Sequence, residues 1–128
     1  WHSGLMMTAE GDNVVFRGAT YEDNQKWIVT RNEFGGHTIK SATTGKVLDV
    51  TAASIDHRID INLYEENGSK AQSFFFIDAG QARFYIKPSY SATVVDMDAG
   101  DYEIHACNYN DGEEAVKAQI FEIITENN

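Results

Sequence analysis

Three times along the chain a glutamine stands two residues ahead of an aromatic ring, at Gln25 and Trp27, Gln72 and Phe74, and Gln119 and Phe121, and both separations are 47 residues. A block of that length written out three times cannot bury its apolar face alone, so the copies must share one core. Any fold for this chain has to satisfy a threefold repeat, with approximate units 1–35, 36–81 and 82–128 in one domain.

Advancing the sequence by one repeat carries His37-Thr38-Ile39-Lys40 onto Phe84-Tyr85-Ile86-Lys87 and Val47-Leu48-Asp49-Val50 onto Val94-Val95-Asp96-Met97 without a gap. Differences in length collect between those runs, as expected when loops face solvent and strands carry the core. Each run is short, alternates with period two and is rich in β-branched or aromatic residues, which predicts strands. The second unit has four, near 37–41, 46–50, 59–64 and 73–77. The third has four, near 83–87, 92–97, 102–107 and 120–124. The first has three, near 4–9, 13–17 and 26–30, and its opening strand is absent or lies upstream of Trp1. Gly4 to Ala9 matches Gly45 to Val50, so no acid falls on the Asp49 position in that unit.

No stretch keeps a helical stripe; 113–121 comes nearest and suits a loop entering a strand. The class is all-β. Three four-stranded units are too few for a propeller. They can close instead as a six-stranded barrel capped by three hairpins, which leaves no exposed sheet edge. That arrangement is the β-trefoil, here with the first repeat short of its opening strand.

At 128 residues the chain is of single-domain size. Its net charge of −10 opposes nucleic acid, which is bound through Lys and Arg, and opposes anionic membrane surfaces. No apolar run reaches the length of a membrane helix. Cys107 is the only cysteine, so there is no intrachain disulfide and the compartment, cytosolic or extracellular, stays open. A chain opening at Trp1 is expected to have been processed, trimmed or excised from something longer. Asn67-Gly68-Ser69 satisfies a glycosylation sequon but reads as a turn.

The runs Gly-Lys-Val-Leu-Asp-Val at 45–50, Ile-Asn-Leu-Tyr at 61–64 and Ala-Gln-Ser-Phe at 71–74 resemble the ricin B-type lectin repeat. Lacking paired cysteines, the chain is similar to the disulfide-free trefoil lectins of fungi and bacteria. The resemblance implies that Asp49, Asn62 and Tyr64 form a sugar site: a carboxylate to clamp neighbouring hydroxyls, an amide for a further hydroxyl, and a ring to stack on the pyranose. Read without the family, Asp49 and Asp96 could equally cap the ends of their strands. The three glutamines are expected to tie loops to buried backbone while their aromatics fill the core.

The third repeat aligns Asp96 with Asp49, and sets Glu103, His105 and Cys107 on one outward face. His105 then replaces Asn62 and Cys107 replaces the platform Tyr64, so only a weak or altered site is expected. In the first repeat Val15 and Arg17 take those places and the site is expected to be dead, although Asn24 matches the family. Ala71 and Ala118 depart from the family's Asn at that position. Galactose or N-acetylgalactosamine is the ligand the resemblance implies.

Other chemistries find less support. Residues 96–101 look like the opening of a calcium loop, but the twelfth position, which needs a bidentate acid, is Cys107. Glu103, His105 and Cys107 are splayed along one strand and have no second ligand cluster. No nucleophile elbow, phosphate loop or zinc-protease helix is present, so no enzyme, cofactor or metal is expected. The expected partners are glycans, with avidity from a homodimer or a companion domain. The alternative is a trefoil that inhibits a protease or binds a protein through its loops, such as 109–117, with decayed sugar sites.

Overall fold

The computed structural model describes residues 5–33, 35–56, 58–80, 83–97, 104–108, 119 and 121–122. Among them run eleven strands: β1 (Leu5–Glu10), β2 (Asn13–Gly18), β3 (Trp27–Arg31), β4 (His37–Ser41), β5 (Val47–Val50), β6 (Ile59–Tyr64), β7 (Phe74–Gly80), β8 (Arg83–Pro88), β9 (Thr93–Met97), β10 (Ile104–Asn108) and β11 (Phe121–Glu122). The strands fall where the period-two runs place them, to within a residue or two, except that β7 runs on to Gly80, three residues past the expected end at 77. The stretch 113–121, expected as a loop entering a strand, the loop 109–117, Ala118, the calcium-like run 96–101 and Glu103 lie largely or wholly outside the described residues.

Two kinds of pairing organise the strands. Within each repeat a hairpin forms, β1 with β2, β5 with β6 and β9 with β10. The remaining strands stand edge to edge as antiparallel staves in the order β3, β4, β7, β8, β11. A partial barrel carrying three hairpins results, and this is the β-trefoil plan expected from the repeat.

Alternation explains the core. Ile61 and Leu63 turn inward from β6 and are cross-strand partners of Val50 and Leu48, and all four are buried. Val14, Phe16, Ile39, Phe74, Ile86, Val95, Met97 and Ile104 complete a cluster drawn from all three repeats, each removed from water at about 25 cal/mol per Å² of apolar surface. Of the repeat aromatics Phe74 is fully buried, whereas Trp27 and Phe121 pack against the cluster half-exposed. Phe121 stacks on Phe16 with ring centroids 5.6 Å apart. The indole of Trp27 donates to the Met7 carbonyl at 2.9 Å.

Asn67 to Ser69 forms the turn expected of it: the Ser69 amide donates to Asn67 Oδ1 at 2.9 Å, and Gly68 takes φ +70°. Gly45 has φ +73° in the link from β4 to β5, a conformation costly for any residue with a Cβ. It delivers the chain into the strand that carries Asp49.

Candidate functional site

The middle hairpin sets the geometry. Asp49 on β5 is the direct cross-strand partner of Asn62 on β6, and Tyr64 pairs with Val47 two residues along. Side chains two apart on a strand share a face. Asp49, Asn62 and Tyr64 therefore belong to one face of the hairpin, with Tyr64 61% exposed at its end.

Asp49 is held in place by the repeat glutamine. The Gln72 amide donates from Nε2 to Asp49 Oδ2 at 2.8 Å and to the Glu65 carbonyl at 2.8 Å, and its Oε1 accepts the Asn67 amide at 2.9 Å. A buried amide thus satisfies the loop between β6 and β7 and aims the carboxylate. Asp49 Oδ1 has no hydrogen-bond partner among the described residues. Partial burial pushes the Asp49 pKa up, and the Gln72 hydrogen bond opposes that shift. Asn62 donates from Nδ2 to Thr51 Oγ1 at 3.3 Å.

The same frame recurs with different side chains. In the third repeat Gln119 Nε2 donates to Asp96 Oδ2 at 2.9 Å, and His105 is the cross-strand partner of Asp96. In the first repeat Gln25 Nε2 donates to Thr8 Oγ1 at 3.1 Å, and Val15 is the partner of Thr8. The hydrogen bond fixes the register of the first repeat: Thr8 stands where Asp49 and Asp96 stand. Gln25 also accepts the Thr20 and Tyr21 amides at 2.8 and 3.1 Å and donates to the Gly18 carbonyl at 2.9 Å. Arg17, at the place of Tyr64, is tied to Glu10 at 2.8 Å.

One expectation about the third repeat needs correction. His105 and Cys107 share a face, but that face is not open to solvent: His105 is 6% exposed and Cys107 is buried as well. Strand β6 lies along the other edge of β10, and Asp60 Oδ1 sits 3.1 Å from His105 Nε2. His105 Nδ1 is buried without a hydrogen-bond partner among the described residues. Contact between repeats, which no single repeat encodes, covers the position.

The structure adds neighbours of Asp49 that the sequence did not single out. Tyr90, from the third repeat, donates from its hydroxyl to the Ser54 carbonyl at 2.7 Å, and Lys70 Nζ lies 5.4 Å from the centre of its ring. Burial raises the Tyr90 pKa, and the negative charge of Asp49 raises it further. Between them, the turn Thr51–Ala53 holds Ala52 and Ala53 at φ 56° and 50°. Two consecutive non-glycine residues in the left-handed region store strain of about 1–3 kcal/mol each, a cost that concentrates at functional sites. Tyr90 falls on Thr43 under the 47-residue shift, so the repeat gave no reason to notice it.

Among the described residues no group of His, Cys, Asp and Glu is placed to hold a metal ion, and no helix is long and apolar enough to cross a membrane.

Staves, capping hairpins and a repeated glutamine-to-hairpin tie define a β-trefoil of the lectin type. Residues 23–106 match the family model described as ricin-type beta-trefoil lectin domain-like, and the chain belongs to that family. Among solved structures it is similar to a designed threefold-symmetric protein, ThreeFoil, at TM-score 0.87 and 21% identity over 98% of this chain and 94% of that one. A ricin B-like lectin of Macrolepiota procera in complex with lactose matches at TM-score 0.76 and 12% identity, over 94% of this chain and 86% of the other. An exo-beta-1,3-galactanase from Clostridium thermocellum matches at TM-score 0.76 and 17% identity, with 94% of this chain covering 30% of the enzyme. No curated protein matches the chain. At these identities the structural likenesses establish the fold.

Proposed function

We propose that this chain is a carbohydrate-binding lectin module whose principal site is the outer face of the β5–β6 hairpin. Asp49 clamps adjacent sugar hydroxyls, Asn62 bonds a further hydroxyl, and Tyr64 is the platform for the apolar face of the ring. The observation that carries the reading is the state of Asp49: one oxygen is fixed by Gln72, the other has no partner among the described residues, and an exposed phenol ring stands on the same face. A preorganised carboxylate beside an open aromatic suits a ligand that is polar on its edges and apolar on one face.

Galactose or N-acetylgalactosamine is the ligand we assign. The lactose bound by the Macrolepiota procera lectin supports that choice by analogy of fold. In the third repeat Asp96 keeps the glutamine tie, but His105 is buried against Asp60 and no aromatic replaces Tyr64, so the lesser site there rests on Asp96, with His105 behind it. The first repeat, with Thr8, Val15 and Arg17 at the three positions, binds no sugar in this reading. The three repeats act as one domain. A single shallow site binds weakly, so avidity comes from a homodimer or a companion domain, and the partners are glycoconjugates. The module binds and does not catalyse.

A glycan array probed with the intact chain and with Asp49→Ala tests the proposal. Retention of terminal galactose or N-acetylgalactosamine glycans by the intact chain, lost in the variant, is the expected result. Binding unchanged by the substitution removes Asp49 from the mechanism. A blank array favours a protein-binding trefoil.

A further inference from the structure

Each polar arm of the β5–β6 face is held by a short turn of the second repeat. Gln72 closes the turn Lys70–Gln72 and fixes Asp49 through its Nε2. Thr51 opens the turn Thr51–Ala53 and takes the Asn62 amide on its Oγ1 at 3.3 Å. Thr51 is exposed, so it orients Asn62 only as firmly as the turn behind it is held.

That turn is strained. Ala52 and Ala53 sit at φ 56° and 50°, a conformation that persists only where surrounding contacts over-determine it. One contact is internal, the Ser54 amide donating to the Thr51 carbonyl at 3.2 Å. Another comes from the third repeat, where the Tyr90 hydroxyl donates to the Ser54 carbonyl at 2.7 Å. Tyr90 is itself well anchored. It packs against the common core, as Ala53 does. Just ahead of it, Pro88 is the cross-strand partner of Phe74, and the Ser89 amide donates to the carbonyl of Ser73, the residue that follows Gln72. Over the face of its ring stands Lys70 Nζ, from the second turn, 5.4 Å from the ring centre. Tyr90 therefore touches both turns, its hydroxyl on the one behind Asn62 and its ring on the one behind Asp49.

We propose that Tyr90 is a positioning residue for the sugar site of the second repeat, a tyrosine supplied by the third repeat that keeps Asn62 and Asp49 at the spacing a pyranose needs. The inference rests on the sugar reading of that face. Burial and then the charge of Asp49 raise the Tyr90 pKa, which places the two groups in one electrostatic neighbourhood. Under the 47-residue shift Tyr90 falls on Thr43, whose hydroxyl is engaged inside its own loop with Ser41 Oγ at 3.1 Å. The tyrosine thus accompanies the one hairpin face that brings an acid, an amide and an exposed ring together.

The test compares the intact chain with Tyr90→Phe, which keeps the ring and loses only the hydroxyl, and with Gln25→Ala, which lowers stability in the first repeat, away from the face. Lactose affinity by calorimetry, Tm, and the amide resonances of 51–54 and of the Asn62 side chain in the sugar-free protein are read on all three. Tyr90→Phe is expected to weaken lactose binding about three- to tenfold, to lower Tm by no more than about 4 °C, and to move the 51–54 and Asn62 resonances. Gln25→Ala is expected to lose more in Tm and to keep its affinity. Tyr90→Leu, which also removes the ring beneath Lys70, should bind more weakly still and extend the shifts to 70–72. Unchanged affinity in Tyr90→Phe, beside an intact chain that binds lactose, would overturn the inference and leave the sugar reading standing. An equal loss of affinity in Gln25→Ala would overturn it too, since lowered stability alone would then suffice. An intact chain that binds no lactose overturns the sugar reading, and this inference falls with it.

Discussion

Asp49 is the residue on which the proposed sugar site turns, and its protonation is measurable. Burial holds its folded pKa above the usual carboxylate range, so the native state takes up its proton before the unfolded chain does. Stability from this group therefore falls as pH rises through that window, and at neutral pH the buried charge is a cost. Asp49→Asn, which can still accept the Gln72 hydrogen bond, should unfold at a higher temperature than the wild type at pH 7. That advantage should fade as pH drops through the window, measured by thermal unfolding across a pH series. Sugar affinity should move the other way: the variant loses about tenfold or more in Kd, and the wild type loses affinity as Asp49 protonates. Tyr64 separates binding from folding. Because its ring is exposed, Tyr64→Ala should weaken binding about three- to tenfold by calorimetry while shifting Tm by no more than about 1 °C. That Asp49, Asn62 and Tyr64 share one face of a hairpin was legible, because alternation along two neighbouring strands sets it. Tyr90 and the strained Ala52 and Ala53 were not, since neither a tyrosine outside the repeat pattern nor an alanine announces a contact or a positive φ.

Among elements, the hairpin and the glutamine turn behind it act as one unit. Gln72 spans the Asn67 amide, the Glu65 carbonyl and Asp49, so Gln72→Ala removes a buried amide and strips a donor pair and an acceptor from three partly buried hydrogen bonds. A loss of about 2–4 kcal/mol in stability is expected from denaturant titration, together with lost sugar binding. Gln25→Ala should cost comparable stability and leave binding intact, because its amide serves Thr8 and the first-repeat loop. Gly36, leading into β4, tests packing within the second repeat, where β4 meets β7: a Cβ there would lie 2.6 Å from Ser73 Oγ and 2.9 Å from the Phe74 carbonyl oxygen. Gly36→Ala should destabilise by about 1–3 kcal/mol, since the hydroxyl can turn aside but the strand backbone cannot. The sequence foretold the strands well because period-two alternation is a local property. It misjudged the exposure of His105 because β6, from another repeat, pairs alongside it and sets Asp60 against its ring; Cys107 is buried as well.

For the whole molecule, the 47-residue spacing was enough to name a threefold fold, since three copies of one short-stranded unit have few ways to share a core. What the spacing could not convey is how unequal the copies have become. The glutamine tie persists in all three repeats, while its target runs from Thr8 to Asp49 to Asp96 and the cross-strand partner from Val15 to Asn62 to His105. The tie is kept while the face it supports differs, and in the proposed reading that face decides which repeat binds. Concentration of function in the middle repeat is the central claim, and titrating lactose into the isotopically labelled protein while following its amide resonances tests it most directly. Shifts clustered at Asp49, Asn62, Tyr64 and the Gln72 turn, with smaller ones at Asp96 and His105 and none around Thr8, are the predicted result. Shifts centred on the first repeat, or on a surface away from the β5–β6 hairpin, would contradict it.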